Sequence, residues 1–278
     1  MSKKEHIPIP PPAPLPLPEA IDVQSLKDAY EKGEIDLICV MGPTASGKTH
    51  LAVQLARAFN KLCAEPGSIT QAAEILSADS RQVYKDMDIG TGKDLDEYCE
   101  IPYHLIDIVP AGFRYDICRY QRDFSAAYKD CRERKVIPIL CGGSGLYVEA
   151  VTKPEYKMKD NEGMDLCLSR KAYYMATILD RETRRARIDK RLIERLDNGM
   201  LLEVKSLLDN GVDPEALMAY GLEYRYLTLY LQREIDVDTM VKRLSIAIHQ
   251  FAKRQMTWLR GMERDGLCIH WVEASCLG

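Results

Sequence analysis

No two of the nine cysteines stand as a C-x-x-C pair. Cys39, Cys63, Cys99, Cys118, Cys131, Cys141, Cys167, Cys268 and Cys276 occur singly, several of them inside apolar runs. That pattern excludes a zinc framework and predicts reduced intracellular thiols. No apolar stretch approaches membrane-spanning length, and the N-terminus has no signal-type apolar core. A soluble, cytoplasmic protein is therefore expected. No internal repeat is visible. Neither sign of charge dominates: 38 basic and 42 acidic side chains leave a net charge of −4. This excludes a globally basic nucleic-acid binder, though not a local basic face. The 278 residues, 46% hydrophobic and 29% charged, suffice for one large α/β domain or two small ones with a sizeable core.

The most informative stretch is Gly42-Pro43-Thr44-Ala45-Ser46-Gly47-Lys48-Thr49, a G-x-x-x-x-G-K-T phosphate-binding loop. Asp36 to Met41 before it is an apolar run of strand length. Leu51, Ala52, Leu55, Ala56 and Phe59 after it recur at helical spacing, so strand, loop and helix come in the order the motif needs. Glycines let backbone N–H groups wrap a phosphate, the helix N-terminus favours negative charge, and Lys48 adds a cation. Thr49 is the candidate magnesium ligand.

Residues 7–18 hold seven of the 14 prolines and favour extended polyproline II rather than core packing. The expected organisation is a proline-rich disordered tail and linker over 1–33, followed by one α/β domain over 34–278. Asp22 to Lys32 could form a short helix. Within the domain, Glu74–Tyr84 begins as a buried strand and ends in the polar residues Asp79, Ser80, Arg81 and Gln82. In an open parallel sheet these would stand near the phosphate loop. Met87 to Lys93 reads as a glycine-containing loop on the same edge, and Tyr103–Val109 as a third strand. A helix follows over 120–134, then a fourth strand over 136–140 that delivers the second glycine turn, Gly142-Gly143-Ser144-Gly145. Such alternation predicts βαβ units in a doubly wound parallel sheet. Residues 153–170 are polar and aperiodic. A strand over 172–179, helices over about 182–209, 215–232 and 237–262, and a last strand over 268–272 complete the chain.

Two basic groups fall on helices. Lys242, His249, Lys253 and Arg260 share one face, and Arg181, Arg184, Arg185, Arg187, Lys190, Arg191 and Arg195 form a second cluster. Solvated faces and phosphate or nucleic-acid contacts both account for such stripes. On spacing alone a small-molecule kinase is a fair reading, with Asp79 or Asp107 as the strand-end acid for magnesium.

Longer blocks narrow the choice. Residues 42–49, Ser-Ala-Asp-Ser-Arg-Gln-Val-Tyr-Lys at 77–85, Met-Asp-Ile-Gly-Thr at 87–91 and His-Leu-Ile-Asp-Ile at 104–108 closely resemble the isopentenyltransferase family. So do Gly-Gly-Ser-Gly-Leu-Tyr at 142–147 and Ala-Lys-Arg-Gln-Met-Thr-Trp-Leu-Arg at 252–260. The family comprises tRNA dimethylallyltransferases and adenylate-using relatives, and the likeness is collinear from about residue 36 to 272. It implies a P-loop NTPase-like α/β fold with a helical C-terminal part. It also implies that residues 42–49 grip the pyrophosphate of dimethylallyl diphosphate with magnesium on Thr49. The dimethylallyl group would pass to N6 of an adenine beside the anticodon of tRNA. Asp79 would be the general base, with Thr44 and Ser144 orienting amine and diphosphate, and Arg181 touching the diphosphate. Ser80, Arg81 and Gln82, with Asp79 and Ser144, would meet the target nucleotide. A monomer acting on the anticodon arm is implied, with no membrane partner.

Three departures from the family pattern bear on the acceptor. The insertion after Gly-Leu-Tyr is reduced, at about 152–171. Gly221-Leu222-Glu223-Tyr224 stands where Gly-Tyr-x-Glu is more usual, and Ile248-His249-Gln250 replaces Thr-Arg-Gln. A free adenine nucleotide (AMP, ADP or ATP) is the alternative acceptor.

Overall fold

The computed structural model describes residues 15–156, 166 and 168–277. The proline-rich stretch expected as a tail lies largely outside these residues, as does half of the reduced insertion. Six strands form one sheet: β1 (Leu37–Met41), β2 (Ala72–Ser77), β3 (Tyr103–His104), β4 (Val136–Gly142), β5 (Ala172–Ile178) and β6 (Ile269–Glu273). Every neighbouring pair is parallel, in the order β3-β2-β4-β1-β5-β6. The doubly wound parallel sheet expected from the alternation of elements is present. β1 and β4 are buried along their full length, as strands covered on both faces must be.

Helices cover both faces. Against one pack α1 (Val23–Glu31) and α2 (Lys48–Cys63), burying Leu26, Leu51, Leu55 and Phe59 on Ile38, Val40 and Ile75. Against the other pack α3 (Ile117–Glu133) and α4 (Gly145–Thr152), with Phe124, Tyr128 and Val148 on Cys39, Leu76 and Leu140. Residues 15–33, read from sequence as tail and linker, carry contacts to this body. Leu26 is buried, and the Glu19 amide donates to the Trp271 carbonyl.

A helical layer follows: α5 (Arg181–Asp197), α6 (Met200–Asp209), α7 (Pro214–Tyr220), α8 (Leu222–Leu231) and α9 (Val237–Arg264). It has its own core, in which Ile188, Leu192, Met200, Leu217, Leu227 and Leu244 close on Val83, Tyr84 and Met87 from the loop after β2. The single helix expected over 182–209 is two, because Gly199 turns the chain at φ 97°. The helix expected over 215–232 breaks at Gly221. The third strand is also shorter than expected. Leu105 and Asp107 have φ of 66° and 56°, and that left-handed backbone leaves the sheet after His104. Among the described residues no helix is long and apolar enough to cross a membrane.

The thin β3 edge is held by an ionic knot. Glu74 on β2 accepts from both Arg134 nitrogens at 2.7 Å and lies 2.7 Å from His104 Nε2. Arg134, helped by His104, outweighs burial and holds the Glu74 carboxyl down at about 2. A carboxyl depressed on folding stabilises fully above its unfolded pKa, and that gain drains as pH falls toward the folded value. With an unfolded pKa of about 4.3 and allowance for the solvent at Arg134, about 2 kcal/mol is at stake. Urea denaturation of the native chain and Glu74→Gln should differ by about that amount at pH 7, and by about half as much near pH 3. An undiminished gap at pH 3 contradicts the assignment.

Candidate active site

β1, β2 and β4 deliver three loops to the carboxyl end of the sheet, where ligands of open α/β sheets bind. These loops meet the helical layer around a cavity of about 470 Å³. The phosphate loop sits between β1 and α2 as the motif requires. Gly47 adopts φ 85° with Ala274 beside it, 2.7 Å from where a Cβ would stand, so a side chain is excluded on two counts. Thr44, Lys48 and Thr49 line the cavity. Ser46 does not. Its buried hydroxyl donates to the Pro43 carbonyl at 2.8 Å and lies 2.5 Å from the Thr177 hydroxyl, so it shapes the loop from beneath.

Asp79, Ser80, Arg81 and Gln82 line the cavity from the β2 side. Asp79 Oδ1 caps its own turn by accepting the Arg81 N–H at 2.9 Å. The second carboxylate oxygen has no such duty. Ser144 accepts the Ser80 N–H at 3.0 Å and donates to the Ser80 hydroxyl at 3.2 Å, joining the β2 and β4 loops. Its role in the geometry is thus to fix where Asp79 and Ser80 stand. Asp107, the other strand-end acid considered for magnesium, ion-pairs with Lys93 outside the cavity. Lys93 also donates to Asp88 and to the Tyr84 carbonyl.

Arg81 and Arg254 line the cavity too, but its recessed cations come from α2 and α5. Lys48 is recessed, and burial lowers its pKa against the opposing pull of Cys141 and Asp79. From α5 come Arg191 and Arg195, four apart and so on one face. Burial, then the neighbouring Arg195, brings Arg191 down to about 10. Burial also lowers Arg195, and Asp94 ion-pairs with Arg191 and lies 3.7 Å from Arg195. Glu223, beside them, is raised by burial. Recessed cations held below their ordinary range are electrostatically short of negative charge, and a bound polyanion supplies it.

Arg181, expected at a diphosphate, opens α5 as an exposed residue and does not line the cavity. Arg191 and Arg195, further along that helix, do. Their signal in the sequence is the spacing to the buried Ile188 and Leu192, which turns this pair inward. The α9 stripe is divided: Lys253 is exposed, whereas His249 lies 2.8 Å from Asp189 on α5 and joins the two helices.

Two latches set the cavity walls. Gln255 on α9 accepts the Thr44 N–H at 2.8 Å and donates to the Gly143 carbonyl at 3.0 Å. One side chain thus spans the phosphate loop and the second glycine turn. Gly145 in that turn lies against Trp258, whose ring comes within 2.2 Å of where a Cβ would be. On the far rim Glu203 accepts the N–H groups of Asp88, Ile89 and Gly90 and the Tyr224 hydroxyl, all within 3.0 Å. This fixes Gly90, Thr91 and Gly92 as one wall. Leu222, Ile248, Phe251 and Trp258 add an apolar lining to the same cavity.

This arrangement can be set beside known proteins. The IPP transferase family model matches residues 82–165 and 153–262. A "tRNA dimethylallyltransferase 2" of Bacteroides fragilis is 42% identical over 300 residues, covering 87% of this chain and 94% of that protein. A "tRNA dimethylallyltransferase 1" of Parabacteroides distasonis is 43% identical over 298 residues, covering 86% and 93%. The chain belongs to the IPP transferase family. Among solved structures, a tRNA isopentenylpyrophosphate transferase of Bacillus halodurans superposes with a TM-score of 0.70 at 24% identity, over 86% of this chain and 90% of that one. One from Staphylococcus epidermidis does so at 0.67 and 26%, over 86% and 93%. The sheet and helical layer of this family member are therefore those of the isopentenyltransferases.

Because Gln255 is 8% exposed, Gln255→Leu strands the Thr44 N–H and the Gly143 carbonyl at a cost of about 1–3 kcal/mol. Calorimetric titration with inorganic pyrophosphate should show affinity reduced at least about fivefold, as 1 kcal/mol requires. Unchanged affinity in a folded variant contradicts the latch.

Proposed function

We propose that this IPP transferase moves the dimethylallyl group of dimethylallyl diphosphate to N6 of an adenine in tRNA, next to the anticodon. The observation that carries the reading is the meeting of recessed cations with the Asp79 carboxylate in a half-apolar cavity. In the ground state the diphosphate lies on the phosphate-loop amides, with Lys48, Arg191 and Arg195 about it. Breaking the allylic C1–O bond puts an additional charge on the departing pyrophosphate, and these donors are already aimed at it. Leu222, Phe251 and Trp258 exclude water from the prenyl chain, whose allylic carbon would otherwise be hydrolysed. N6 then bonds to C1, and the free oxygen of Asp79 takes the proton N6 must lose.

The donor set fits magnesium. Thr49 offers a hydroxyl, and magnesium asks for few protein oxygens when phosphates and water complete its shell. Bound there, the ion would neutralise charge on the leaving pyrophosphate. Among the described residues, the only cluster of three metal-type ligands is Glu74, His104 and Cys131, remote from the cavity lining. Thr44 and Ser144 orient the reactants through the loops they hold, and Ser80, Arg81 and Gln82 line the side where the adenine enters. Arg181, exposed at the start of α5 and outside the cavity lining, would meet RNA phosphate rather than the diphosphate. The protein acts as a monomer in the cytoplasm on this reading. A further support is that relatives bearing the tRNA name align over nearly their whole length.

Labelled dimethylallyl diphosphate offered with unmodified tRNA and with AMP, ADP and ATP separates the acceptors. Label is expected in tRNA; label in free nucleotides alone overturns the tRNA reading. Asp79→Ala should slow transfer at least about a hundredfold, the usual contribution of a general base, with pyrophosphate affinity retained. Near-normal turnover in that variant removes Asp79 from the chemistry.

A further inference from the structure

At the opposite end of the sheet from the cavity, three side chains stand in line. Cys268, exposed, immediately precedes β6, and its Sγ lies 3.7 Å from His270 Nε2. The other ring nitrogen, Nδ1, lies 2.7 Å from Glu19 Oε2. The ring is fixed twice over. Tyr173 on β5 stacks against it at 4.4 Å with planes 10° apart, and the Glu19 backbone is pinned to β6 through the Trp271 carbonyl. A carboxylate on Nδ1 keeps the proton there and turns the lone pair of Nε2 toward the thiol. Nucleophile, base and orienting acid thus follow one another at the spacing that activates a thiol. None of the three lines the cavity, so prenyl transfer does not account for them.

We propose that Cys268 is a reactive thiol and the site of reversible modification by small soluble disulfides such as glutathione disulfide. His270 Nε2 takes the Sγ proton, and Glu19 balances the imidazolium. The thiolate attacks one sulfur of the disulfide, the S–S bond breaks, and the departing thiolate recovers the proton from His270. One mixed disulfide and one free thiol result, with no other oxidant consumed. A hydrolase is disfavoured, because Cys268 lines none of the main cavities among the described residues, where a substrate carbonyl would be held.

The test is the rate of mixed-disulfide formation at Cys268 with glutathione disulfide at pH 7, read by peptide mass spectrometry. The reference is the same thiol in the chain unfolded in urea. With His270 in place to take the proton as Sγ attacks, the folded chain should react at least about fivefold faster. His270→Asn should remove that advantage and Glu19→Gln reduce it, with prenyl transfer intact in both as evidence of folding. A folded-state rate no higher than the unfolded one overturns the proposal. So does an unchanged rate in either variant that still transfers prenyl groups.

Discussion

Positive charge held out of water is the constraint on which this protein turns. Lys48, Arg191 and Arg195 converge on one recess of a chain whose net charge is −4. Burial lowers all three. Asp94 pairs with Arg191, and Glu223, Glu194, Glu203, Asp79 and Glu97 pull against that loss without reversing it, while burial favours the neutral form of Glu223. A site in this condition is poised for a ligand of several negative charges, and coulombic gains are larger there than at the surface. It is equally poised to stabilise a leaving group that becomes more negative as its bond breaks.

Neither half of the molecule makes that recess alone. The sheet contributes the phosphate loop and Asp79, and the helical layer contributes both arginines and most of the apolar wall. Gln255 and Glu203 hold the halves in register through backbone groups, which is why single side chains on α9 and α6 bear on loops distant in sequence. The same division places the carboxylate beside the wall. On the proposed reaction, the nucleophile would arrive beside that apolar wall with Asp79 as its proton acceptor.

Much of this was legible in the sequence. The phosphate loop, the polar end of β2 and the glycine turn after β4 are each a short motif bound to a strand end. Once the sheet is parallel, all three must share one edge. The helical layer was harder to read. Gly199 and Gly221 each break a continuous apolar pattern with one residue, and left-handed backbone at Leu105 and Asp107 is invisible to periodicity. Arg191 and Arg195 sit in a cluster of seven basic residues where charge alone does not mark which turn inward. Arg181 is the first of the seven, while the buried Ile188 and Leu192 decide orientation. The importance of Gln255 depends on two backbone atoms, one in each loop, which only the folded chain brings together.

The account is tested most directly by a crystal structure with a non-reactive dimethylallyl diphosphate analogue. Its phosphates should lie on the phosphate-loop amides within hydrogen-bond reach of Lys48 and Arg195, with the allylic carbon facing Asp79 and the prenyl chain against Trp258. Phosphates bound elsewhere, or an allylic carbon turned away from Asp79, would contradict it.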